Sequence, residues 1–292
     1  MPLPRFEYLA PKTLPEACAL LSQHKEKAKV VAGGTDLLVQ MKGRKLTPQY
    51  IIGLKNIGGL DYIKYDKAEG LKIGALATIS SIAGSTEIWE KLPILGCAAE
   101  MMATPQVRNM GTIGGNLCNA APSADLASPL ISAGAKAKLV SPQGERTIAL
   151  EDFFTGPGET ALQSGEILAE IQVPNQPPNT GGAYLKETRT SVDLALVGVA
   201  ASITLDSKDK TCRDAKITLG AVAPTPIRAK KAEGAIKGKE IKDISIEEAA
   251  QLASEEARPI SDVRSSAYYR TELVKVLTKR AIRQASEQAK SA

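Results

Sequence analysis

Apolar positions recur at helical spacing in some stretches of the chain and as short β-branched runs in others. Thr13, followed by Leu14-Pro15-Glu16-Ala17, predicts a helix start with Thr13 as N-cap and Pro15 in the first turn. Ala17, Leu20 and Leu21 carry its apolar stripe, which ends between residues 22 and 27. Residues 28–32 are a strand-like run that stops at Gly33-Gly34, and residues 36–42 open a helix directly after it. Residues 50–54 predict a strand and 58–60 a turn, while 62–65 and 71–74 form a strand pair across 66–70. Helices are predicted to start at Thr78 and to run over 94–101, followed by Thr104-Pro105. Residues 137–140 and 145–148 read as a hairpin, and 167–173 as a strand ending at Pro174.

Asn175-Gln176-Pro177-Pro178-Asn179-Thr180-Gly181-Gly182 has no apolar side chain apart from proline and is the best linker in the chain. It divides the sequence into a domain over 1–175, with subdomains of about 1–55 and 56–175, and a domain over 183–292. In the second part, 183–187, 201–205 and 215–219 read as strands, and the apolar run 193–201 as a buried helix or strand. Residues 247–258 and 267–286 read as helices, with Leu273, Val276, Leu277 and Ile282 along one face. This order suggests an antiparallel sheet with helices on one face, and the whole chain reads as α+β.

Two glycine pairs stand out chemically. Val30-Val31-Ala32-Gly33-Gly34-Thr35-Asp36 and Gly111-Thr112-Ile113-Gly114-Gly115-Asn116 each read as an apolar run bent by Gly-Gly, with polar side chains at the bend. Glycine permits positive φ and leaves no Cβ in a ligand's way. Successive amides in such a turn can converge on an anionic oxygen, and the helix start after Asp36 would add its dipole. Two such bends suggest two walls around one elongated anionic cofactor such as a dinucleotide. Either bend alone reads more readily as a plain strand-ending turn, and neither matches G-x-G-x-x-G or a P-loop. Residues 104–135 carry only Arg108 and Asp125 as charges, in a chain that is 24% charged. That stretch is either a buried packing segment or a ligand wall, with Asn109, Asn116, Asn119, Ser123 and Asp125 as its polar groups.

Composition removes several classes. Aromatics make up only 4% of the chain, too few for the stacking platforms of single-stranded nucleic-acid binding. The net charge of +5 comes from 37 basic and 32 acidic residues that are interspersed, so no polyanion partner is implied. Cys18, Cys97, Cys118 and Cys212 form no C-x-x-C, which disfavours a structural zinc or an iron–sulfur cluster in this chain. Cys118 reads as a small buried hydrophobe, and scattered single cysteines fit a reducing compartment. One histidine, His24, excludes the usual hydrolase triads and most His-ligated metals. The first residues lack a signal-peptide core, and no apolar run nears the roughly 20 residues of a membrane span, so a cytoplasmic location is expected. A cofactor cradle with little acid–base equipment fits electron or hydride transfer.

The motif set resembles the FAD-binding medium subunits of molybdenum hydroxylases, the family of the xanthine dehydrogenase and carbon monoxide dehydrogenase flavoproteins. It is carried by AGGTDLL at 32–38 and TIGGN at 112–116, by Phe6-x-Tyr8-x-x-Pro11 at the start and by Ala121-Pro122-Ser123-Ala124-Asp125. Asp152-Phe153-Phe154-x-Gly156, Gly165-Glu166-Ile167-Leu168, Lys186-x-x-Arg189-x-x-x-Asp193, Gly220 to Arg228 and Ser261-Asp262-Val263-Arg264 continue it in order over nearly the whole chain. The resemblance implies a two-part FAD-binding domain of the vanillyl-alcohol-oxidase/PCMH type followed by a smaller C-terminal domain, with FAD bound non-covalently. It places Lys29, Val30, Val31, Ala32, Gly33, Gly34, Thr35 and Asp36 around the pyrophosphate, and Thr112, Gly115 and Asn116 on the second wall. It puts Met102 in the same set, Asp125 on the ribityl or adenosine side, Leu168 on the adenine and Lys186 near the pyrimidine end of the isoalloxazine. Ala32 and Leu194 stand where family members differ, which leaves the groups covering the flavin faces open. The implied partners are an iron–sulfur subunit and a molybdenum-cofactor subunit, as a dimer of heterotrimers, with NAD or another acceptor. A self-sufficient FAD-dependent oxidase or reductase of the same cofactor fold is the alternative.

Overall fold

The computed structural model describes residues 2–208 and 210–291. Its first unit is a small parallel sheet in which Tyr50–Gly53 lies between Glu7–Leu9 and Ala28–Val31. Strands that run parallel need crossover connections, and helix Leu14–His24 carries the first, from one edge strand, Glu7–Leu9, to the other, Ala28–Val31. Thr13 caps it by accepting the Glu16 N–H at 3.3 Å, and the Glu16 carboxylate returns to the Lys12 N–H at 2.7 Å. Ala17 and Cys18 are buried against Ile52, Leu54 and Ala169. His24 packs on the Tyr50 ring, with centroids 3.8 Å apart.

The second unit is a five-stranded antiparallel sheet in the order Ile63–Asp66, Gly70–Gly74, Ile167–Val173, Lys136–Ser141, Gly144–Ala149. Its first hairpin is tighter than the apolar pattern suggests, because Asp66 pairs with Gly70. The Asp66 carboxylate accepts the amides of Ala68 and Glu69, and Gly70 takes φ +88° to re-enter the ladder. Helices Ile79–Ala83, Thr86–Lys91, Pro93–Met101, Pro105–Met110 and Ile113–Asn119 fill the connection after it. Hydroxyl caps at Thr78, Ser85, Thr104 and Thr112 start four of them.

The third unit is a four-stranded antiparallel sheet, Thr180–Glu187, Val197–Leu205, Cys212–Gly220 and Ile227–Arg228, backed by helices Lys230–Ile236, Asp243–Glu256 and Ala267–Ser291. The apolar run after Asp193 is strand from Val197 and continues unbroken to Leu205. Gly181 and Gly182, which resemble linker residues, already belong to a strand. A Cβ on Gly181 would sit 2.0 Å from the Ala285 carbonyl oxygen, so the residue permits close approach of the long helix. The uncharged stretch has two parts. Its early part walls a cavity, while helix Ala127–Ser132 is buried at every position, between the first domain's core and the C-terminal sheet. Among the described residues no helix is long and apolar enough to cross a membrane.

Candidate cofactor site

The first glycine bend follows strand Ala28–Val31 and leads into helix Leu37–Lys42. Gly34 has φ +76°, which an L side chain would resist. Gly33 is needed for another reason: a Cβ there would lie 1.9 Å from the Met110 carbonyl oxygen and 3.0 Å from Gly111 Cα. The first bend is therefore seated directly on the segment that opens the second motif. The amides of Gly33, Gly34 and Thr35 meet no acceptor among the described residues, while the Gly34 carbonyl accepts the Leu38 N–H at 3.1 Å. Unpaired amides in one turn form a cradle for an anionic oxygen. Asp36 stands at the helix start without a side-chain capping bond. Partial burial pushes its carboxyl above the usual range, against the pull of the Thr35 hydroxyl.

The second motif is built differently from the expected sharp bend. Thr112 is the N-cap of helix Ile113–Asn119 and accepts the Gly115 N–H at 3.0 Å, so Gly114 and Gly115 lie in the first helical turn. Neither has positive φ. Ile113 N–H donates to the Ala77 carbonyl and Gly114 N–H to that of Ala75, and a Cβ on Gly114 would lie 2.7 Å from the Ala75 carbonyl oxygen. Gly114 brings the helix against Ala75, just past strand Gly70–Gly74, and the amides of both glycines are already used. The polar group this wall offers is the side chain of Asn116. Its Oδ1 is buried without a partner, and its Nδ2 donates weakly to Met102 Sδ at 3.9 Å.

Between these walls lies a cavity of about 570 Å³, closed on a third side by Gly158, Leu162, Glu166, Ile167 and Leu168. Every residue expected to contact a cofactor lines it except Asp125 and Lys186. Those two hold each other. Lys186 Nζ donates to Asp125 Oδ2 at 2.9 Å, and the Tyr184 hydroxyl donates to Oδ1 at 2.9 Å, with the two charged side chains 2% and 7% exposed. Burial raises the Asp125 carboxyl despite the opposing Lys186 charge, and burial beside Asp125 raises the Tyr184 hydroxyl.

Several lining residues were noted in the sequence without a contact role there. Asn119, one of the polar groups expected of the uncharged stretch, lies one turn after Asn116, and its Oδ1 accepts from Gln40 Nε2 at 3.4 Å, tying the two walls; only the short helix that sets this spacing was not read. Glu166 is gripped by Arg146 through two bonds of 2.6 and 2.7 Å, which hold its carboxyl below the usual range, and it also accepts the Gln163 N–H. Cys118 also lines the cavity, and burial pushes its thiol up to about 12, so it is a neutral wall group. A larger cleft of about 700 Å³ opens beside the end of helix Ala267–Ser291, but the amide cradle and the unpartnered Asn116 belong to the smaller cavity.

The donor set fits FAD. Free amides at Gly33 to Thr35 suit a pyrophosphate, the Asn116 amide suits a polar ring or sugar edge, and Leu168 with Ile167 and Leu54 offers apolar cover.

Comparison with known proteins agrees. Residues 4–176 match the FAD binding domain in molybdopterin dehydrogenase, and 182–285 match the CO dehydrogenase flavoprotein C-terminal domain. The chain is 36% identical to the carbon monoxide dehydrogenase medium chain of Afipia carboxidovorans, over 98% of both chains. It is 34% identical to the xanthine dehydrogenase FAD-binding subunit of Escherichia coli O157:H7, over 94% of this chain and 93% of that one. A solved carbon monoxide dehydrogenase from Hydrogenophaga pseudoflava superimposes with a TM-score of 0.95 at 37% identity, covering 99% of both chains. Quinoline 2-oxidoreductase from Pseudomonas putida 86 gives 0.92 at 31% identity, again over 99% of each. With the glycine cradle, the Asn116 wall and both domain matches in one continuous chain, the protein belongs to the FAD-binding flavoprotein subunits of the molybdopterin dehydrogenases, a family of oxidoreductases.

Proposed function

We propose that this chain is the electron-transfer subunit of a molybdenum hydroxylase complex and holds FAD non-covalently between the two glycine motifs. An iron–sulfur subunit and a molybdenum-cofactor subunit stand on its donor side, in a dimer of heterotrimers, and NAD or another acceptor stands on the other. The cell compartment is the cytoplasm. The observation that carries the reading is the pairing, across one cavity, of unused amides at Gly33, Gly34 and Thr35 with the unpartnered Oδ1 of Asn116.

Bound FAD supplies a store for two electrons between a one-electron donor and a two-electron acceptor. The chain's own residues supply binding and insulation. Gly33, Gly34 and Thr35 orient the pyrophosphate, Leu168 covers the adenine, and the apolar walls keep water from the ring. Lys186 and Asp125, which do not line the cavity, hold each other at the domain junction and act on the flavin only through the packing around it. Among the described residues no group of three or more His, Cys, Asp or Glu side chains is placed to hold a metal.

Relatives at similar identity are named for carbon monoxide, glyceraldehyde, xanthine and nicotine chemistry. A flavin chain so similar across different substrates leaves substrate choice to the molybdenum subunit. Purification of the tagged chain from its native cell should yield FAD with two companion chains, one carrying iron and one molybdenum. A colourless chain that takes up no FAD would sink the proposal. Turnover of a small-molecule substrate by the chain alone would favour the self-sufficient alternative.

A further inference from the structure

Arg108 is one of only two charged residues in the uncharged stretch, and it makes no ion pair among the described residues. Its Nη1 instead donates to two consecutive carbonyls, those of Met102 at 2.8 Å and Ala103 at 2.9 Å. Ala103 has φ +44°, in the left-handed region that an alanine resists. The turn it makes ends helix Pro93–Met101 and places Met102 on the cavity wall, where its sulfur meets the Asn116 amide. Thr104 then caps helix Pro105–Met110, which carries Arg108 back over the turn, and the Met110 carbonyl at the end of that helix is the atom against which Gly33 is seated.

We propose that Arg108 is a positioning residue for FAD: by clamping two carbonyls it holds Ala103 in its left-handed conformation and so aims Met102 and Asn116 at the cofactor. The inference rests on the cavity being the FAD site. Without the guanidinium, Ala103 relaxes toward negative φ, the Met102 side chain leaves the wall, and Asn116 loses its neighbour. A glycine at 103 holds the same conformation without help. The dependence on Arg108 therefore shrinks when residue 103 is glycine.

The test titrates FAD into the flavin-free full chain, wild type and variants, following flavin fluorescence and the visible circular dichroism of the bound flavin. Arg108→Gln weakens FAD binding on the order of tenfold and alters the dichroism. Ala103→Gly alone stays near wild type, and the Ala103→Gly/Arg108→Gln double variant recovers to within about threefold of it. Arg108→Lys, which keeps a cationic donor, serves if the glutamine variant does not fold, and it should show a smaller loss that Ala103→Gly likewise relieves. Unchanged affinity in Arg108→Gln, or an equal loss with alanine and with glycine at 103, overturns the proposal. Failure of the wild-type chain to bind FAD overturns the site assignment instead.

Discussion

Gly33→Ala is the sharpest perturbation of the cradle. It adds one methyl group and leaves the conformational preference nearly untouched, because Gly33 does not need positive φ. The added Cβ would fall 1.9 Å from the Met110 carbonyl oxygen and 2.7 Å from its carbon. Both contacts are with backbone, which cannot rotate aside, so the two walls must part by roughly 1 Å, and overpacking of this kind costs up to about 3 kcal/mol. If FAD binding requires the walls in register, that cost appears in the dissociation constant as roughly a hundredfold weakening. Gly34→Ala is the control. Its φ of +76° costs about 1–2 kcal/mol, and the nearest atom is the side-chain Leu38 Cδ1 at 3.2 Å, so the weakening should be roughly 5–30-fold. Titration of FAD into flavin-free protein measures both. Gly33→Ala binding within threefold of wild type, or binding more tightly than Gly34→Ala, would refute the reasoning.

Lys186→Met leaves the Asp125 carboxylate buried without its cation and should destabilise the chain by about 3–5 kcal/mol in urea unfolding, with the Asp125→Asn/Lys186→Met pair recovering much of the loss. Equal losses in the single and double variants would show that the ion pair is not the cause. Glu166 provides a pH signature. Arg146 lowers its folded pKa below the ordinary 4.5, so its contribution is complete above about pH 4.5 and fades as pH falls through the folded value. Urea midpoints measured between pH 6 and pH 3 should therefore fall more steeply for wild type than for Glu166→Gln, and parallel curves would contradict the assignment.

The first glycine loop was legible as a turn because its chemistry is local. Gly33-Gly34-Thr35 announces a turn with bare amides, and the structure shows that turn. The second motif was legible as a wall but not as a helix. Its seven residues form a helix too short for an apolar period, and the reason for Gly114 lies at Ala75, remote in sequence. The same limit hid helices Thr86–Lys91 and Lys230–Ile236, and it made Gly181-Gly182 resemble a linker when their lack of a side chain answers to Ala285 and Ile94. The pairing of Asp125 with Lys186 could not be read from either neighbourhood, since it arises where the two domains meet. Long strands such as Ile167–Val173 and the C-terminal helix carried enough period to be read directly.

Helix Ala127–Ser132 belongs by sequence to the first half, yet strands of the second half complete its burial, and Gly220 is bare where a Cβ would lie 2.7 Å from Ser128 Oγ. Severing the chain near residue 177 would strip that cover and leave a sticky, unsheathed flank on the flavin half. The two halves are thus obligate companions, and an exchange of C-terminal modules between relatives succeeds only when the incoming sheet brings an equally naked backbone to that spot.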